Sequence, residues 1–140
     1  MIPSAITGDT LSLSRAERLW SRIHIPVTPD GSLDYDQCWP WVGLTDPKGY
    51  GCIVWRLDGR RVRLYPHRLV NEHHALAPFP TGVEIDHTCN CRCCCNPQHH
   101  ERVDHRTNMA RMTARTRPDW RAARDRALML AHLQEISRHA

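Results

Sequence analysis

The stretch from His87 to Asn108 restricts this chain more than any other. It reads His87-Thr88-Cys89, then Cys94, Asn96-Pro97 and His99, with Asn108 nine residues further on. An imidazole able to act as a base, thiols suited to a soft metal ion and a carboxamide oxygen suited to a hard one are packed together. Cysteine and proline crowd residues 88–98, which excludes regular structure there and predicts a loop folded around metal. A short strand, Val83–Asp86, would deliver His87 at its end, and His100–Val103 would be a second strand. A helix is expected over about 105–115, with Asn108 in its first turn.

The rest of the composition makes such a loop useful. The chain has 140 residues, which suits one domain, and its 41% hydrophobic and 24% charged content is that of a globular protein. Phe79 is the only phenylalanine and long aliphatic runs are lacking, so a thin core is expected. Small domains of that kind lean on a structural metal or on disulfides. The cysteine count is odd, seven in all, and the chain opens on no signal-peptide pattern. No apolar run reaches membrane-spanning length. Reduced thiols interleaved with histidine point to metal ligands and a cytoplasmic setting, with no membrane partner. The net charge is +4, and Lys48 is the sole lysine, so arginine carries the excess. Guanidinium forks suit phosphate, although a GC-rich genome gives the same bias.

Along the chain, Leu19, Trp20 and Ile23 fall in a helix expected over about 14–22, closed by Pro26 and Pro29. Cys38-Trp39-Pro40-Trp41 reads as a hydrophobic anchor beside a metal site. Cys52–Leu57 and Arg60–Tyr65 are predicted strands around an Asp58-Gly59 turn, and the two-residue period gives Arg61 and Arg63 one face. Pro66 opens a helix over 66–75. Beyond Pro118, Trp120, Ala123, Ala127, Leu130, Ala131 and Leu133 recur at helical spacing to about residue 138. The organisation expected is an arm at 1–13, an α+β domain at 14–116 and a C-terminal helix at 117–140.

Two thiol sets compete for an ion. Cys89, Cys94 and His99 are spaced to clasp one, with the distant Cys38 completing a tetrahedral Cys3His zinc site that would pin the N-terminal half to the loop. Cys91, Cys93 and Cys95 alternate and form the rival set. Cys52, inside a strand, reads as a buried free thiol.

Phosphodiester hydrolysis needs a base to activate water, a cation to neutralise the leaving oxygen and a donor to hold the phosphate. Residues 38–108 resemble the His-Me finger nucleases, or HNH superfamily, and within it the zinc-containing homing-endonuclease subgroup and its small phage and bacterial relatives. The resemblance rests on Cys38-Trp39-Pro40-Trp41, Gly49-Tyr50-Gly51, His67-Arg68 and the run from Asp86-His87 to His99. It implies a ββα-metal finger with a zinc-stabilised loop, preceded by a β-hairpin and flanked by helices. It implies an endonuclease acting on double-stranded DNA in a bacterial or phage-infected cell. His87 would be the general base, Asn108 a Mg²⁺ ligand and Asp86 a second one. Cys38, Cys89, Cys94 and His99 would hold zinc, and Asn96 would brace the loop through its backbone. Arg61 or Arg63 would grip the scissile phosphate. Arg60, Arg61, Arg63, Arg68, Arg106, Arg111 and Arg115 are the expected DNA contacts. A monomer would nick, and a homodimer could cut both strands. The chain departs from the family in its three extra loop thiols, in Cys52 where arginine is common, and in His100 where an aliphatic residue is common. A non-catalytic zinc-stabilised DNA-binding module is the main rival, and a metal-storage or redox protein the second.

Overall fold

The computed structural model describes residues 13–115 and 120–139. The arm expected at 1–13 therefore lies outside the described residues up to Leu13. In chain order the elements are α1 (Leu13–Ser21), β1 (Ile53–Leu57), β2 (Arg60–Leu64), α2 (Pro66–Ala75), β3 (Val83–His87), a 3-10 turn (Pro97–His99), β4 (His100–Asp104), α3 (His105–Ala114) and α4 (Trp120–His139). The class is α+β, with two separate two-stranded antiparallel sheets, β1–β2 and β3–β4.

The first hairpin is closed by local chemistry. Asp58 and Gly59 both take positive φ, 50° and 77°, the pair of left-handed conformations that a two-residue hairpin turn requires. Ile53 and Trp55 are buried, while Val54, Arg56, Arg61 and Arg63 form the exposed face. The register sets Arg56 directly opposite Arg61. Pro66 then opens α2, and the helix stops where Leu76 turns left-handed at φ 52°.

The second hairpin is closed by the whole of residues 88–99. Its register runs from Val83 opposite Asp104 to His87 opposite His100. At the base of the loop, Thr88 donates to the His99 carbonyl from its amide at 2.8 Å and from its hydroxyl at 3.0 Å. Asp104 ends β4 and caps α3, its carboxylate accepting from the Thr107 amide at 2.6 Å. The helix thus turns straight back along the hairpin.

Tryptophan and cysteine replace the missing aliphatics in the core. Leu19 and Trp20 of α1, and Ile23 just after it, meet Trp39, Trp41, Ile53, Trp55, Val70 and Cys91, Cys93, Cys94 and Cys95. Trp41 sits so tightly that a Cβ built on Gly43 or Gly51 would come within 2.6 or 2.7 Å of its ring. That contact explains the second glycine of Gly49-Tyr50-Gly51. Ala123 and Ala127 attach α4 to this core, and Ala127 and Ala131 face Cys38, Gln37 and Pro26. Among the described residues no helix is long and apolar enough to cross a membrane.

Candidate metal centre

Cys38, Cys89, Cys94 and His99 converge. One ligand atom from each lies within 4.8 Å of all the others, and no second such group of His, Cys, Asp or Glu occurs among the described residues. His99 Nδ1 is 3.6 Å from Cys38 Sγ and 3.7 Å from Cys94 Sγ. A zinc tetrahedron with bonds of about 2.0–2.3 Å has ligand–ligand edges of about 3.5–3.8 Å, so the spacing fits. This Cys3His group can bind a metal such as zinc. The rival set does not converge: Cys91 and Cys93 approach to 3.5 Å, but Cys95 turns its thiol to the Cys93 carbonyl.

The chain around the ligands is tied by backbone and by one amide. Pro40 bridges to Cys94, Trp41 donates to the Cys93 carbonyl and Cys95 to that of Trp39, each bond at 2.8–2.9 Å. This short ladder brings Cys38 to the loop. Asn96 is fully buried. Its Nδ2 donates to the carbonyls of Tyr35 and Gln37, both at 2.8 Å, and its Oδ1 accepts from the Gln98 amide. Asn96 therefore ties the loop chiefly to the segment before Cys38, where bonds to the loop's own backbone were expected. Burial pushes the Cys94 thiol up, against the thiolate that a metal needs. The amides of Trp39 and Asn96 point at its sulfur from 3.4 Å and favour the anion. A bound cation would complete that compensation.

His87 is the last residue of β3 and only 6% exposed. Its ring lies 4.9 Å from that of His67, 4.8 Å from His100 and 5.8 Å from Tyr50. Burial holds all three imidazoles below the usual histidine range, His100 at about 3. His100 Nε2 donates to the Cys94 carbonyl at 2.8 Å, and its Nδ1 faces the Asn71 amide at 3.5 Å. His100 thus orients Cys94, a member of the Cys3His group. Among the described residues, His87 Nε2 and His67 Nδ1 are buried without a hydrogen-bond partner.

The opposite face of β3 belongs to α3. Glu84 and Asp86 share that face by the strand period, and Asn108, Arg111 and Arg115 cover it at helical spacing. Asn108 donates from Nδ2 to Glu84 at 2.7 Å. Asp86, 3% exposed, has both oxygens taken by Arg115 and one shared with Arg111, at 2.6–3.0 Å. Asp86 thus serves as an ion-pair anchor in the structure, where a Mg²⁺ ligand was expected, and Arg111 and Arg115, expected as DNA contacts, turn part of their charge inward onto it. Arg111 also pairs with Glu101. His87 lies on the face of β3 opposite the one that Asn108 covers from α3, and no hydrogen bond joins their side chains among the described residues.

The remaining arginines divide. Arg60, Arg61, Arg63 and Arg106 are exposed, and none of them forms an ion pair among the described residues. Arg68 lies over the Phe79 ring, with Arg102 packed on the same ring. His67 and His100 entered the sequence reading only through the resemblance, one within His67-Arg68 and the other as a departure, and Glu84 and Arg56 were not singled out. The period-two relation of Glu84 to Asp86 and the register of Arg56 opposite Arg61 were the available signals.

No family model matches the chain, and no solved structure matches it. It is 39% identical over 75 residues to Protein 2.8 of Escherichia phage T7, a match covering 54% of this chain and 44% of that protein. The chain therefore spans less than half the length of the relative it matches.

Proposed function

We propose that the chain is a metal-dependent DNA endonuclease of the His-Me finger type. In this reading β3, β4 and α3 are the ββα-metal finger, and the Cys3His group holds structural zinc. The observation that carries the reading is His87: a neutral, buried imidazole at a strand end, fixed beside the metal-ligand loop, with Nε2 left unpaired. A buried polar atom without a partner costs about 1–3 kcal/mol, and catalysis is one of the few reasons to retain one. Similarity to a phage protein supports the cytoplasm of the infected host as the compartment.

His87 would take the proton of the attacking water at Nε2, and its depressed pKa keeps it ready to do so at neutral pH. Asn108 would hold Mg²⁺ through Oδ1, an oxygen donor that accepts no hydrogen bond from the described residues, with most of the remaining ligands drawn from water and phosphate. When bound, the ion supplies charge neutralisation at the leaving oxygen. Because the His87 and Asn108 side chains lie on opposite faces of β3, a phosphodiester reaching both would lie against the free edge of that strand, which among the described residues pairs with β4 alone. Arg56, Arg61 and Arg63 offer an exposed cationic ribbon, without ion pairs among the described residues, for the DNA backbone. One such site nicks, and cutting both strands would take two copies.

The test is a supercoiled plasmid incubated with zinc-loaded protein and Mg²⁺, with EDTA and Asn108→Ala as controls. Nicks bearing 5′-phosphate and 3′-hydroxyl ends, absent from both controls, support the reading. Binding without nicking at any divalent-ion concentration would overturn it. That outcome would favour a non-catalytic zinc-stabilised DNA-binding module, a reading to which the closed Asp86–Arg115 pair already lends weight.

A further inference from the structure

We infer that Glu84 is a positioning residue for Asn108: its carboxylate holds the Asn108 amide with Nδ2 turned inward and Oδ1 presented to a hard divalent cation. The inference rests on the proposed role of Asn108 and adds a residue that neither the motif nor the resemblance assigns.

Glu84 Oε2 accepts from Asn108 Nδ2 at 2.7 Å, and its Oε1 pairs with His105 Nδ1 at 2.7 Å. An ionised carboxylate can only accept, so chemistry alone decides which end of the Asn108 amide faces it. Both oxygens of Glu84 are thus engaged by side chains of α3. With one oxygen on each partner, Glu84 cannot swing away without breaking a bond to α3. A carboxylate on the amide N–H also draws electron density toward Oδ1, which makes it a harder and stronger ligand. Asp86 cannot replace Glu84 in this, because its oxygens are held by Arg115 and Arg111.

Outer partners of this kind typically matter 10–100-fold, by order of magnitude, in metal affinity. The test uses zinc-loaded protein and Mn²⁺ as the probe, with affinity read by electron paramagnetic resonance, and zinc content and melting temperature as controls. Glu84→Ala should weaken Mn²⁺ binding by about 10-fold or more. Glu84→Gln, which keeps an acceptor for Asn108 Nδ2, should stay within a few-fold of the parent. In nicking assays Glu84→Ala should need more Mg²⁺ yet regain the parent rate at saturation. Unchanged Mn²⁺ affinity in Glu84→Ala overturns the inference. A loss in Glu84→Gln equal to that in Glu84→Ala also overturns it, because charge or direct ligation would then be at work. If Glu84→Ala loses its zinc, His105→Ala decides: weakened Mn²⁺ binding supports the inference and unchanged binding overturns it. Asn108→Ala separates the two levels. If it binds Mn²⁺ like the parent, the underlying reading fails. If it loses Mn²⁺ while Glu84→Ala does not, the positioning role alone fails.

Discussion

The two hairpins are built from strands of equal length and closed by opposite means. β1–β2 turns on Asp58-Gly59, whose backbone conformation suffices to set the register, and its inner side chains join the tryptophan core. β3–β4 is separated by residues 88–99, and its closure depends on side chains: the Cys3His group, Asn96 and the His100–Cys94 bond. The first hairpin carries its arginines on a free face, and the second carries the candidate chemistry. A closure made by side-chain chemistry can hold His87 in place, but it also exposes that hairpin to loss of one ion.

Metal removal should therefore separate the two most strongly. Zinc in small domains contributes on the order of 10 kcal/mol. Stripping it, or substituting Cys89→Ser, should abolish amide-exchange protection across β3 and β4 while Ile53–Leu57 keeps much of its own. Equal loss in both hairpins would break the distinction. Next in size is Asn96→Ala in the metal-loaded protein. It leaves the Tyr35 and Gln37 carbonyls and the Gln98 amide without their partner, and should cost about 2–4 kcal/mol in urea unfolding. A cost below about 1 kcal/mol would mean that the ladder around Trp39–Trp41 holds Cys38 unaided.

Acid should act on the second hairpin as well. Burial lowers the pKa of His67, His87 and His100 in the folded chain from the ordinary 6.5. Between that value and the folded pKa the unfolded chain binds more protons, so stability is present above about pH 6.5 and falls as pH drops toward 3. His67→Asn should flatten this slope, whereas acid release of metal alone would leave it unchanged. The smallest effect belongs to the first hairpin. Arg61→Glu removes a like-charge pair across from Arg56 and should stabilise the ribbon by about 0.5 kcal/mol. The same change should weaken DNA binding and lower its salt slope by about 1.

The Cys3His group was legible because the spacing of Cys89, Cys94 and His99 suits one ion, and Cys38 was the distant thiol left to complete it. Helix α2 was legible to the residue because Pro66 marks its start, although nothing announced the left-handed Leu76 that ends it. The β3–β4–α3 order could be read from the sequence, but the contacts between β3 and α3 could not. Asp86 as an anchor for Arg115 depends on which face of α3 turns inward, and the weak amphipathicity of His105–Ala114 gives little sign of it. His100 was marked only as a departure, since a histidine bonded to a carbonyl looks the same in sequence as any other.

The central claim, that His87 is the base of a nuclease, is tested most directly by His87→Ala protein shown by mass spectrometry to carry one zinc per chain. On supercoiled plasmid with Mg²⁺, the parent should nick. The variant, with zinc content, melting temperature and DNA affinity retained, should lose at least about a hundredfold in rate. Nicking by the variant at the parent rate would contradict the claim.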